Sequence, residues 1–138
     1  QSQQEAKALG IAEMVLFCGN VNRPEDYLQA MDVFVMTSLF EGLPIVGVEA
    51  QASGLPCIFA DTITQEVKIL PQTQFLALTQ PDEAWAERIV QTKPMERSLA
   101  GHCVESAGFA EENLDRQVCA LYGMEEHHFA NISGRDHL

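Results

Sequence analysis

The feature that most constrains this chain is a short apolar run, residues 33–36, that leads through a Gly/Pro turn straight into a helix-forming stretch. The run is continuous rather than alternating, so it reads as a strand buried on both faces, as in a parallel sheet. Thr37-Ser38-Leu39-Phe40-Glu41-Gly42-Leu43-Pro44 follows as the turn. Pro44 suits the first turn of a helix, because its missing N–H would be unpaired there anyway. The helix is expected to turn Ile45, Val48 and Ala52 inward and to stop at Gly54. Strand, turn and helix in that order put the turn at the carboxyl end of a strand, where open parallel sheets bind ligands. Two carboxylates belong to this stretch. Glu41 falls in the turn, and Glu49 falls inside an apolar helix, where an unpaired carboxylate is expensive.

The rest of the chain repeats the theme. Residues 2–9 read as a helix with Ala6 and Leu9 on one side, ended by Gly10. Residues 14–18 form an apolar run broken by Gly19, hence a second buried strand. Asn20-Val21-Asn22-Arg23 is the turn after it, and Pro24 opens a helix whose first-turn Glu25 and Asp26 suit the dipole and whose Tyr27, Leu28 and Met31 face inward. Beyond Gly54, a strand is expected at residues 57–60, a short helix around Gln65-Glu66-Val67, and a strand at residues 75–78. A helix then opens at Pro81-Asp82-Glu83, with Trp85, Ile89 and Val90. Trp85 at helical spacing with Ile89 reads as core rather than as a sugar platform. Lys93-Pro94 breaks that helix, and further helical stretches are expected near residues 96–107 and 111–121. Strand and helix alternate at least three times, which is an α/β layer architecture. Residues 124–138 read as a polar tail, and Glu125-Glu126-His127-His128 within it as solvated side chains rather than a metal site.

Composition closes several alternatives. With 138 residues and 46% hydrophobic content the chain is long enough for one domain with a core. Eight basic against twenty acidic residues, a formal charge of -12, argue against binding nucleic acid through phosphates and against docking on anionic lipid. No apolar run approaches the roughly 20 residues of a membrane span. Residues 1–7 are too polar for a signal peptide, which makes the cytoplasm the expected compartment. The four cysteines, at 18, 57, 103 and 119, form no Cys-x-x-Cys pair. Cys18 and Cys57 read as small buried hydrophobes in a reduced protein.

The wording of the central stretch resembles a known family. Ser38-x-x-Glu41-Gly42-Leu43-Pro44-Ile45-Val46-Gly47-Val48-Glu49-Ala50-x-Ala52-x-Gly54-x-Pro56 is similar to the E-x7-E signature of retaining glycosyltransferase family 4. Within that family it looks most like transferases of bacterial exopolysaccharide or capsule synthesis. The order of the other elements agrees over about residues 5–122. The resemblance implies an α/β, Rossmann-like parallel sheet flanked by helices, the C-terminal, donor-binding half of a GT-B fold. It would occupy residues 1–123 and lack its opening strand.

It also implies roles. Glu49 would accept hydrogen bonds from the ribose hydroxyls of a nucleotide, and Glu41 would lie beside the transferred sugar and stabilise charge at its anomeric carbon. Amides at the helix start, in Gly42, Leu43, Ile45 and Val46, would hold phosphates, and Val21 would lie against the base. The substrate would be a nucleotide sugar, a UDP-sugar in first place, with no metal or other cofactor. A glycan or lipid-linked acceptor would be bound by an N-terminal domain absent here, which for a longer protein suggests work at the inner face of the membrane.

The sequence departs from the family pattern in two ways. Pro44 replaces a frequent glycine and removes one amide donor, and the family's phosphate-binding Arg and Lys precede the region present. The chain by itself is therefore expected to be inactive and to expose a sheet edge through which copies could associate. Two alternatives stay open: a non-catalytic nucleotide-binding or assembly module, and a sugar-nucleotide epimerase of the same fold.

Overall fold

The computed structural model describes residues 2–93 and 96–109. Its frame is a sheet of three parallel strands, β1 (Phe34–Met36), β2 (Cys57–Ala60) and β3 (Gln74–Leu76), adjacent in chain order. Phe34, Val35 and Met36 stand beside Cys57, Ile58 and Phe59, and Ile58, Phe59 and Ala60 stand beside Gln74, Phe75 and Leu76. Parallel neighbours need a crossover between them. Around the sheet lie the helices α1 (Ser2–Ala8), α2 (Pro24–Ala30), α3 (Ile45–Ala52), α4 (Asp82–Gln91) and α5 (Arg97–Val104). The architecture is α/β, a parallel sheet flanked by helices.

The central strand is where the sequence reads most simply. All four residues of β2 are buried, so a continuous apolar run here does mean cover on both faces. The Phe59 ring anchors the core, lying 6.2 Å from the Phe34 ring and 5.8 Å from the Phe75 ring, centroid to centroid. Leu28, Val48, Ala50, Leu55, Ile63, Val67 and Val104 complete the cluster, and Trp85 packs against it from α4, as its helical spacing suggested.

Helix α3 comes unusually close to the sheet because position 47 has no side chain. A Cβ built there would stand 2.9 Å from two carbons of the Phe59 ring and 3.1 Å from a Val67 methyl. Its C-terminal end is closed by Gly54, whose φ of 75° takes the left-handed conformation that ends helices, as expected. Gly54 also lets α5 approach, since a Cβ there would meet the Arg97 Cα at 2.8 Å. Arg97 in turn donates to the carbonyls of Gln29 (2.8 Å) and Met31 (2.9 Å), tying the start of α5 to the end of α2.

Several expectations are corrected. Residues 14–18 are not a buried strand. They continue from one 3-10 turn (Ala12–Met14) as exposed chain, with Met14 85% and Leu16 82% exposed, and Cys18 is exposed as well. An apolar run becomes a strand only when a partner supplies its hydrogen bonds, and no described strand lies beside this one. Strand β1 is buried on one face only. Phe34 and Met36 pack against the core, whereas Val35 remains 37% exposed at the sheet edge.

In α2 only Leu28 is buried, and in α4 Val90 points to solvent. Leu9, at the end of α1, is exposed too. The inward stripe of α3 is Gly47, Val48, Ala50 and Gln51, while Ile45 and Ala52 face outward. The expected helix at residues 111–121 and the tail at residues 124–138 lie outside the described residues.

Candidate functional site

The site grows from the carboxyl end of β1. After Met36 the chain leaves the sheet as a loop, which a hydrogen bond from the Thr62 hydroxyl to the Ser38 carbonyl (2.7 Å) fastens to the loop after β2. Leu39 and Phe40 then stand 81% and 87% exposed, and Glu41 follows, half-buried. Gly42 and Leu43 are exposed, and buried Pro44 caps α3 with its carbonyl, which accepts from the amides of Gly47 (2.9 Å) and Val48 (3.4 Å). No side chain caps this helix start. The amides of Ile45 and Val46 precede the first hydrogen bonds of the helix, so the positive end of the helix dipole is open there.

Glu49 is exposed. The outward face of α3 carries it, together with Ile45, Val46 and Ala52. Its carboxylate is therefore solvated rather than buried, and it makes no hydrogen bond or ion pair among the described residues. An unpaired carboxylate set in apolar surroundings is an available acceptor pair.

Two cavities meet at Glu49. One, of about 230 Å³, lies between α2 and α3 and is lined by Pro24, Glu25, Leu28, Glu49, Ala52 and Ser53. The other, of about 530 Å³, is walled by Leu43, Ile45, Val48, Glu49, Glu66 and the α5 end at Val104. Leu43, Ile45 and Glu49 thus share one cavity. Glu41, Gly42, Val46 and Val21 line neither, although Val21 is half-buried in the turn that leads into α2. Glu66 was not singled out by sequence reasoning, which saw only a short helix around it.

The electrostatics are acidic. Arg23 at the mouth of α2 is committed to Glu25 and Asp26, at 3.1 Å each, on an exposed surface. Glu25 is held below the usual carboxylate range, first by its own backbone amide at the helix start and then by Arg23. Among the described residues no three His, Cys, Asp or Glu side chains gather as a metal site. Nor is any described helix long and apolar enough to cross a membrane.

The same residues carry a family signature. The family model described as "Glycosyl transferases group 1" matches residues 1–92. This chain belongs to that family. The three-stranded parallel sheet with flanking helices is consistent with one Rossmann-like half of a GT-B transferase. Among curated relatives, this group 1 chain is 47% identical over 90 residues to EpsF of Bacillus subtilis (strain 168), an inferred glycosyltransferase, covering 64% of the chain and 23% of the relative. It is 35% identical over 122 residues to the Vi polysaccharide biosynthesis protein VipC/TviE of Salmonella typhi, covering 83% of the chain and 20% of the relative. A shorter stretch of 53 residues is 42% identical to an Escherichia coli UDP-Gal:α-D-GlcNAc-diphosphoundecaprenol α-1,3-galactosyltransferase, over 38% of the chain and 14% of that enzyme. The chain spans less than a quarter of the length of each. No solved structure matches it.

Proposed function

We propose that this chain is the donor-binding part of a retaining glycosyltransferase. Such an enzyme would move a sugar from a nucleotide sugar, a UDP-sugar in first place, to a glycan or lipid-linked acceptor in polysaccharide synthesis. The observation that carries the reading is the pairing of Glu41 and Glu49 on either side of an uncapped helix start, directly after a parallel strand, in a group 1 glycosyltransferase. Each part has chemistry to contribute. The free Glu49 carboxylate can accept two hydrogen bonds from a ribose diol. The Ile45 and Val46 amides, ahead of the first helix hydrogen bonds, can donate to a diphosphate. Glu41, in the loop before them, can stabilise positive charge at the anomeric carbon as the donor bond breaks.

Relatives named for Vi polysaccharide biosynthesis and for galactosyl transfer from UDP-Gal to a diphosphoundecaprenol-linked sugar support the substrate class. The leaving diphosphate, however, needs cations, and Arg23 is occupied by two carboxylates. This chain on its own therefore binds donor nucleotide weakly and transfers no sugar. Saturation-transfer NMR with UDP, GDP and ADP tests the reading. Signals for UDP that disappear in Glu49→Ala support it. Equal signals for all three nucleotides that survive the substitution would overturn the assignment of Glu49.

A further inference from the structure

The most heavily hydrogen-bonded side chain in the described protein sits on the opposite face of α3 from Glu49. Gln51 is wholly buried, and its amide nitrogen donates to the Gly47 carbonyl at 3.0 Å and to the Val67 carbonyl at 2.7 Å. Its amide oxygen accepts from the backbone amides of Ile69 (2.9 Å) and Leu70 (3.0 Å) and from the Thr73 hydroxyl (2.8 Å). Both donors are used, and the acceptor is oversubscribed. The bonds all but one leave the helix, and they end on the segment that runs from the Gln65–Val67 turn to β3. That turn carries Glu66, which lines the larger cavity together with Glu49.

We infer that Gln51 is the positioning residue of this site: it fixes helix α3, and with it Glu49, against the segment that bears Glu66. The inference rests on the reading of Glu49 as the ribose-binding carboxylate. On the buried face of α3, Gly47 and Ala50 offer little side chain to key into the sheet, so Val48 and the close seat on Phe59 are the apolar contacts and Gln51 supplies the polar ones. Apolar contacts are non-directional, whereas five hydrogen bonds to one side chain fix translation and tilt together. A shift of the helix by a fraction of an ångström moves the Glu49 oxygens out of hydrogen-bond range of a diol.

Gln51→Met keeps the length of the side chain and removes all five bonds, which makes it the probe. In the 138-residue chain the expected result has three parts. The amide protons of Ile69 and Leu70 exchange faster, the amide signals of Glu49 and Ala52 move, and UDP affinity falls by about tenfold. In a Glu49→Gln background the same change leaves UDP affinity where it was, because the carboxylate it positions is gone. A Gln51→Met protein that loses thermal stability but keeps wild-type UDP affinity and unmoved Glu49 and Ala52 signals would overturn the inference. So would an equal loss of affinity with and without Glu49. If Gln51→Met does not fold, Thr73→Val removes a single donor and must shift the same signals by less; unmoved signals there overturn it too. Failure of the wild-type chain to bind UDP would instead strike the ribose reading, and the positions of the Glu49 and Ala52 signals still decide the role of Gln51.

Discussion

Replacing Gly47 by alanine sets two effects of opposite sign against each other. In a helix interior glycine is about 1 kcal/mol less favourable than alanine, so helix propensity alone makes Gly47→Ala stabilising. The structure says otherwise. The added methyl would sit 2.9 Å from Cε1 and Cζ of Phe59 and 3.1 Å from Cγ2 of Val67, all well inside carbon contact distance. Phe59 cannot retreat, being fully buried with the Phe34 ring on one side and the Phe75 ring on another. Helix α3 would have to lift from β2. Overpacking of this kind costs about 1–3 kcal/mol. Against the propensity gain, the net loss is about 1 kcal/mol, or roughly 5 °C in Tm for a domain of this size. Thermal unfolding followed by far-UV circular dichroism reads it, with urea titration to confirm an unchanged slope. A variant that melts higher than wild type would refute the close approach of α3 to the sheet.

Gly54→Ala must be worse than Gly47→Ala, because it meets the Arg97 backbone at 2.8 Å and forces a Cβ into φ of 75°, together about 2–4 kcal/mol; urea midpoints should rank the two in that order. Burial pushes the Cys57 thiol from its ordinary 9.0 up to about 12, so the folded chain holds that proton where the unfolded chain releases it. Stability from this group is complete below pH 9 and drains away as pH rises towards about 12, and at pH 8 a maleimide should modify exposed Cys18 while sparing Cys57 until the protein unfolds; peptide mapping shows either result.

Where the sequence was legible, the signals were local and redundant. Residues 57–60 lie between a Pro and an Asp and are apolar throughout, and they are the buried central strand. The turn at Gln65–Val67, the helix opening after Pro81 and the glycine stop at position 54 were legible for the same reason. The run at residues 14–18 looked equally good, yet strand formation depends on a neighbour elsewhere in the chain, which no local pattern encodes. The face of α3 was misread because Ile45, Val46, Val48, Ala50 and Ala52 surround the helix with apolar groups, so periodicity could not choose a side. The small residues held the answer. Gly47 and Ala50 mark the side that approaches the sheet, and Gln51 joins them because backbone carbonyls and amides are waiting for it there. Once the face is turned, Glu49 moves from an expensive buried position to an available one. Glu41 was placed correctly in the turn, but its exact position is a property of the loop between β1 and α3, which Thr62 fastens from the loop after β2.

The most direct measurement of the central claim is a map of backbone amide shifts in a ¹H–¹⁵N spectrum as UDP is added. The largest shifts are expected on Ile45, Val46 and Glu49, with Val21 following, and Glu49→Ala should remove them. Shifts clustered instead around Trp85 and Ile89, where a separate cavity of about 460 Å³ lies against Val35, would contradict it.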